Sequence, residues 1–308
     1  MIPPIDSEPL SAAPENRNRT AELTLLSIAA VWGTTFALLR DSMRVLHPYD
    51  VMALRFTIAT LILVALYWRR IGAMRRLWLW DGVRTGFFLT AGYLTQVIGL
   101  QTTPSARSAF ITSTALVFVP FVAYAIQRTR TGLGDAVGVG VAFVGLLVFY
   151  AEANFSLRPG DLWMLGCAIA FAIQIVTTNI AGRRSDTVVV TVLQLAFAAV
   201  VGWVLVAARG GLAAPVAAIP WTNILYLGVI ATAVILPLQT WALGKTAPVR
   251  AGVIYTTEPI FAAVFAAAFF AEGASVREIV GGAIILAAVL VSDLWGSMGA
   301  FVRARTRR

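Results

Sequence analysis

Residues 99–120 read GLQTTPSARSAFITSTALVFVP, and 143 positions later residues 242–263 read ALGKTAPVRAGVIYTTEPIFAA. In both, a threonine-bearing segment leads through an arginine into an apolar run. The shift pairs Leu100 with Leu243, Thr103 with Thr246, Arg107 with Arg250, Ile111 with Ile254, Thr114 with Thr257 and Phe118 with Phe261. Working outward, it also pairs Gln96 with Gln239, Val137-Gly138 with Val280-Gly281, and Leu147-Val148 with Leu290-Val291. Aliphatic identities arise readily between apolar segments, so the polar pairs Gln96/Gln239 and Arg107/Arg250 carry more weight. The chain reads as an internal duplication.

What is duplicated follows from composition. Of 308 residues 59% are apolar and only 13% charged, too few polar groups to cover a water-soluble surface. Glycine shows no triplet period, Cys167 is the sole cysteine and His47 the sole histidine, which excludes collagen-like and disulfide-stapled classes and leaves no zinc or Cys/His catalytic site. Apolar stretches recur at 23–39, 51–68, 83–100, 108–126 and 136–150, then at 162–181, 188–208, 224–243, 251–271 and 279–295. Each is long enough, or nearly so, to cross a bilayer as a helix. None alternates polar and apolar residues over ten positions, so a β-barrel is a poor reading. The prediction is an all-α polytopic membrane protein of ten transmembrane helices in two five-helix repeats.

Charge placement orients it. The net charge of +9 is built almost wholly of arginine, with Lys245 the one lysine. With the N-terminus inside, seventeen basic residues fall on the cytoplasmic side, against Arg40, Arg44, Arg107, Arg158, Arg209 and Arg277 opposite and Arg55 within a span. The positive-inside rule then puts both termini in the cytoplasm of an inner-membrane protein and reads nearly every arginine as topogenic. Five spans per half is odd, so the halves run in opposite directions, an inverted repeat with its binding site near the midplane. The expected organisation is a disordered tail over 1–20, repeats over 21–151 and 158–296, and a basic tail over 297–308.

The chain resembles the EamA family of the drug/metabolite transporter superfamily, which includes YddG-like exporters. The resemblance spans about residues 23–296. It is carried by Trp32-Gly33, Arg55, the 99–120 run, Gly160-Asp161, the TTEPIF run over 256–261, Glu272 and Gly281-Gly282. Where family members often carry a Glu after span four, this chain has Thr129 between Arg128 and Arg130. The resemblance implies a cavity surrounded by spans one, three, four, six, eight and nine. It says almost nothing about the substrate.

Glu258 lies halfway along span nine, where a charge costs about 2.5 kcal/mol or more unless paired, hydrated or protonated. It reads either as a carboxylate that titrates a proton or binds an amine, or as a structural cap or ion-pair partner. Its neighbour Pro259 removes a helix hydrogen bond and marks a kink, and Pro120, Pro237 and Pro259 are expected to interrupt spans four, eight and nine. Arg55 lies little more than a turn into span two, close enough to the interface to snorkel outward; otherwise its planar fork suits a substrate carboxylate. Arg107 and Arg250 are explained by interfacial anchoring. Side chains sharing helix faces offer further lining: Tyr93 with Gln96, Ser108 with Thr112, Gln174 with Thr178, and Tyr255 with Glu258. Gln239 mirrors Gln96, and Trp32 and Trp163 are candidates for aromatic walls. Interspan hydrogen bonding accounts for the glutamines equally well. Gly138, Gly140, Gly145, Gly281 and Gly282 make spans five and ten a close-packed scaffold or homodimer contact.

No GxxxxGK[ST] phosphate loop, metal cluster or channel filter occurs, so the expectation is no enzyme, no cofactor and no nucleic-acid partner. A secondary transporter exporting small polar metabolites such as amino acids, with proton coupling through Glu258, fits best. A broad exporter of lipophilic cations and a non-transporting membrane scaffold or sensor are the alternatives.

Overall fold

The computed structural model of the chain describes residues 18–150, 158–270 and 275–305, and every regular element in them is helical. The elements are α1 (Arg19–Gly33), α2 (Thr35–Ser42), α3 (Pro48–Gly72), α4 (Arg76–Gly99), α5 (Ser105–Ser113), α6 (Ala115–Gln127) and α7 (Leu133–Phe149) in the first half. The second half holds α8 (Pro159–Arg184), α9 (Thr187–Ala208), α10 (Trp221–Leu225), a π-helical segment (Tyr226–Val234), α11 (Ile235–Lys245), α12 (Pro248–Tyr255), α13 (Glu258–Phe270) and α14 (Val276–Arg305). Among the described residues, six helical stretches are long and apolar enough to cross a membrane, and α7 is a shorter apolar helix. The tail over 1–20 lies almost entirely outside the described residues, as does Glu272. The basic segment after 296 is helical through Arg305.

Short connections between apolar rods need firm helix ends, and aspartates supply several of them. Asp50 accepts the His47 N–H at 3.0 Å while His47 Nδ1 accepts the Tyr49 N–H, closing a box around the start of α3. Asp186 takes the N–H groups of Val188 and Val189 at the start of α9. Asp81, fully buried, holds the end of α8: Arg184 donates to both its oxygens at 2.9 and 2.6 Å, and Ser185 donates at 2.7 Å. Arg209 reaches back to Asp50 at 2.9 Å. Arginines that the sequence marks as topogenic therefore also clamp helix ends.

Packing runs mainly between the halves. α3 lies along α9, α4 against α8 and α9, and α1 against α11, α12 and α13. Small residues permit this: a Cβ on Gly202 would meet the Ala53 backbone at 2.8 Å, and one on Gly182 the Thr240 carbonyl at 2.5 Å. α7 and α14 pack along each other at the periphery. There Gly145 and Gly281 are crossing points, since a Cβ on either would strike backbone within 3 Å, whereas Gly140 faces open space and Gly282 makes ordinary contact. The small residues of these two rods thus serve an intramolecular seam.

Candidate functional site

Three rods are broken, and hydroxyls mark each break. At Thr34, Thr114 and Thr257 the side-chain oxygen donates to the carbonyl three residues back, at 2.7, 2.6 and 2.7 Å. Such back-bonding competes with the helical ladder and bends it. Thr114 bonds Ile111 and Thr257 bonds Ile254, so donors and acceptors alike repeat at the 143-residue shift. Prolines mark the breaks less well. Pro259 is the second residue of α13, where it is tolerated, and Pro120 lies inside a continuous α6. Pro237 follows the π-helical segment, whose widened turns end just before α11. The expectation that Pro120 interrupts its span is corrected: the break falls six residues earlier, at Thr114.

Glu258 opens α13 directly after the Thr256–Thr257 break, and α1 is drawn close to it. A Cβ on Gly33 would meet the Glu258 carbonyl at 3.0 Å and the Ala262 nitrogen at 2.8 Å, so only glycine admits this approach. The carboxylate faces a partly open cavity. Trp32, Thr35 and Phe36 line it from α1 and α2, Leu89, Tyr93 and Gln96 from α4, and Thr112, Ser113, Ala115 and Leu116 from α5 and α6. From the second half come Phe171, Gln174 and Ile175 of α8, Gln239 of α11, and Gly252, Tyr255 and Glu258 of α12 and α13. Glu258 is the one charged side chain among these lining residues.

Aromatic rings form much of the wall. Trp32 and Tyr255 have centroids 5.4 Å apart, and Tyr93 meets Phe171 edge-on at 5.3 Å. Polar atoms remain available: Gln174 Nε2 is buried with no hydrogen-bond partner among the described residues, and Gln239 Oε1 and Tyr255 Oη, which lie beside each other, make no well-formed bond. Buried polar groups are normally paired with protein, water or ligand, so these three atoms are suited to a polar guest.

Arg55 does not snorkel. Only 2% exposed, it donates from Nε to Thr232 Oγ1 at 2.6 Å and from Nη2 to Tyr93 Oη and the Ala231 carbonyl at 3.4 and 3.5 Å. Its guanidinium also stands 4.8 Å from the Tyr93 ring centre. Thr232 and Ala231 belong to the π-helical segment, whose Ala231 carbonyl also receives Trp32 Nε1 at 3.4 Å. Arg55 therefore lies behind the cavity wall, buttressing Tyr93, because a partner helix 176 residues away supplies acceptors that the interface would otherwise provide.

Of the residues the sequence suggested, Trp32, Tyr93, Gln96, Thr112, Gln174, Gln239, Tyr255 and Glu258 converge on the cavity, while Arg55 and Trp163 do not. Trp163 lies near the start of α8, eleven residues or about 16 Å of helix from Gln174, and is 47% exposed. Phe171 takes the aromatic position instead. The anchoring role given to Arg107 and Arg250 is also corrected. Arg107, 5% exposed, forks onto Asp161 at 3.1 and 2.7 Å. Arg250 meets Glu22 at 2.6 Å.

The EamA-like transporter family matches residues 19–151 and again 158–292. An "Uncharacterized transporter" of Archaeoglobus fulgidus is 28% identical over 284 residues, covering 89% of this chain and 86% of that protein. The "WAT1-related protein At3g02690, chloroplastic" of Arabidopsis thaliana is 25% identical over 301 residues, covering 86% of this chain and 67% of its own length. A solved structure titled "Crystal structure of protein" superposes with a TM-score of 0.74 at 19% identity, covering 92% of this chain and 99% of the other. Two tandem family matches on an all-helical, multi-pass membrane chain with a cavity between its halves place this protein in the EamA-like transporter family.

Proposed function

We propose that the chain is a secondary active transporter of the inner membrane that exports a small polar metabolite carrying a positively charged amine. Its ten spans form two inverted halves, both termini are cytoplasmic, and the halves rock about the cavity to expose it to each face in turn. Glu258 receives either the substrate ammonium or a proton, so the two exchange on one carboxylate. The observation that carries this reading is a single carboxylate in a cavity otherwise lined by aromatic, amide, hydroxyl and aliphatic groups, with no basic side chain among the lining residues. An amino acid fits if Gln96, Gln174 and Gln239 meet its carboxylate, because Arg55 is already engaged by Thr232, Ala231 and Tyr93.

Counterflow into proteoliposomes tests this with a panel of amino acids, their methyl esters and quaternary ammonium ions. Saturable exchange of amines is expected, and Glu258→Gln should lower it by roughly 10- to 100-fold, the equivalent of losing a charge-assisted contact of about 1.5–3 kcal/mol. Unchanged flux in the variant would remove Glu258 from the site. The walls of Trp32, Tyr93, Phe171 and Tyr255 favour a second reading, a broad exporter of lipophilic cations; faster exchange of quaternary ions than of amino acids would select it.

A further inference from the structure

Two ion pairs outside the cavity repeat each other. Arg107 and Arg250 are each the third residue of the first segment of a broken rod, α5 and α12, and they correspond at the 143-residue shift. Their acidic partners correspond as well. A shift of 139 residues aligns the start of α1 with that of α8, pairing Arg19 with Arg158, Glu22 with Asp161, Leu23 with Leu162 and Trp32 with Phe171. Trp32 and Phe171 both line the cavity, so the alignment holds in space. The contact Arg107–Asp161 is therefore the counterpart, under the internal repeat, of Arg250–Glu22.

Each pair also crosses between the halves. Arg107 belongs to the first half and Asp161 to the second; Arg250 belongs to the second and Glu22 to the first. In each case both helices joined, α5 with α8 and α12 with α1, carry residues that line the cavity further along. Opposed running directions set the two pairs at opposite ends of the cavity. They are well made: Arg107 forks onto Asp161, which also receives Thr103 Oγ1 at 3.2 Å and the Arg158 N–H at 2.9 Å, and Arg250 and Glu22 are each about one-seventh exposed. Ion pairs this buried contribute little net stability relative to apolar packing, yet removing one partner is costly, which suits a contact that resists opening.

We propose that Arg107–Asp161 and Arg250–Glu22 are the two reciprocal gate locks of the transport cycle. Halves that rock about a central site must separate at one end while closing at the other, so each lock breaks when its own end opens and remakes when the opposite end does. The proposal rests on the alternating-access reading, but its test needs no substrate.

The full chain with Cys167→Ser receives Ser113→Cys as a cavity reporter, and a membrane-impermeant maleimide is applied to oriented vesicles from either side. Arg107→Gln should raise labelling from the face bearing Arg107 about tenfold and lower it from the other, a population shift towards one state. Arg250→Gln should do the reverse, as should Glu22→Gln. The exchanged pair Arg250→Glu with Glu22→Arg should restore the original ratio, and it guards against a single variant that fails to fold. Folded variants with an unchanged side ratio, labelling raised equally from both faces, or no labelling from either face in any variant would each overturn the proposal. Failure of amine counterflow with intact side-specific labelling would instead overturn the substrate reading and leave the locks in place.

Discussion

A charge inside an apolar rod is visible in sequence because it is costly there, and Glu258 and Arg55 are both found that way. Their settings are a different matter. Glu258 faces the cavity because Thr256 and Thr257 stop the helix just before it, and those hydroxyls lie beside it in the chain. Arg55 depends on Thr232 and Ala231, which no local pattern connects to it. Phe171 is equally hidden, one aromatic among many apolar residues of α8. The position of Arg55 behind Tyr93 yields a prediction that differs from the one its fork suggests in isolation. Lysine replaces the planar fork that spans Thr232, Ala231 and Tyr93 with a single point charge, so Arg55→Lys should lower thermal stability by about 2 kcal/mol and reduce counterflow of amines with and without a carboxylate alike. Selective loss of the carboxylated substrates would instead make Arg55 their receptor.

The rods themselves are legible from the apolar runs: each predicted span falls within a helical rod to within a residue or so. Their breaks are not. Proline is the signal usually read, yet the two breaks related by the repeat share a threonine bonded three residues back and differ in proline placement. In a membrane the freed backbone groups of a proline are readily satisfied by neighbours, whereas at Thr114 and Thr257 a hydroxyl takes the carbonyl at the break itself, a bond that Thr85, Thr95 and Thr177 also make inside unbroken helices. Thr257→Val should therefore cost about 1 kcal/mol of stability and impair counterflow more than Pro120→Ala does, as measured by melting in detergent and transport side by side. Equal tolerance of both changes would return the break to general helix flexibility.

Across the whole molecule the two halves contribute equivalent walls: Trp32 opposite Phe171, Thr35 opposite Gln174, Gln96 opposite Gln239, Thr112 opposite Tyr255. Only the charge is placed once, with Ala115 in the first half standing where Glu258 stands in the second. Equivalent walls predict that a carboxylate at either place can serve. The double change Ala115→Glu with Glu258→Ala should recover part of the amine counterflow lost in Glu258→Ala alone, and no recovery would mean the walls match in shape but not in function. The duplication was legible from the repeated glutamines and arginines. The single carboxylate in a shared cavity required the three-dimensional pairing.

One consequence concerns biogenesis. Asp50 is held by Arg209, Asp81 by Arg184, Arg55 by Thr232, Arg107 by Asp161, and Glu22 by Arg250. In every case a polar group made early in synthesis finds its partner in a segment made much later. Before the second repeat is inserted the first has only part of these contacts, Arg84 on Asp81 and Tyr93 on Arg55, and its polar network is completed only when the ribosome has finished most of the chain.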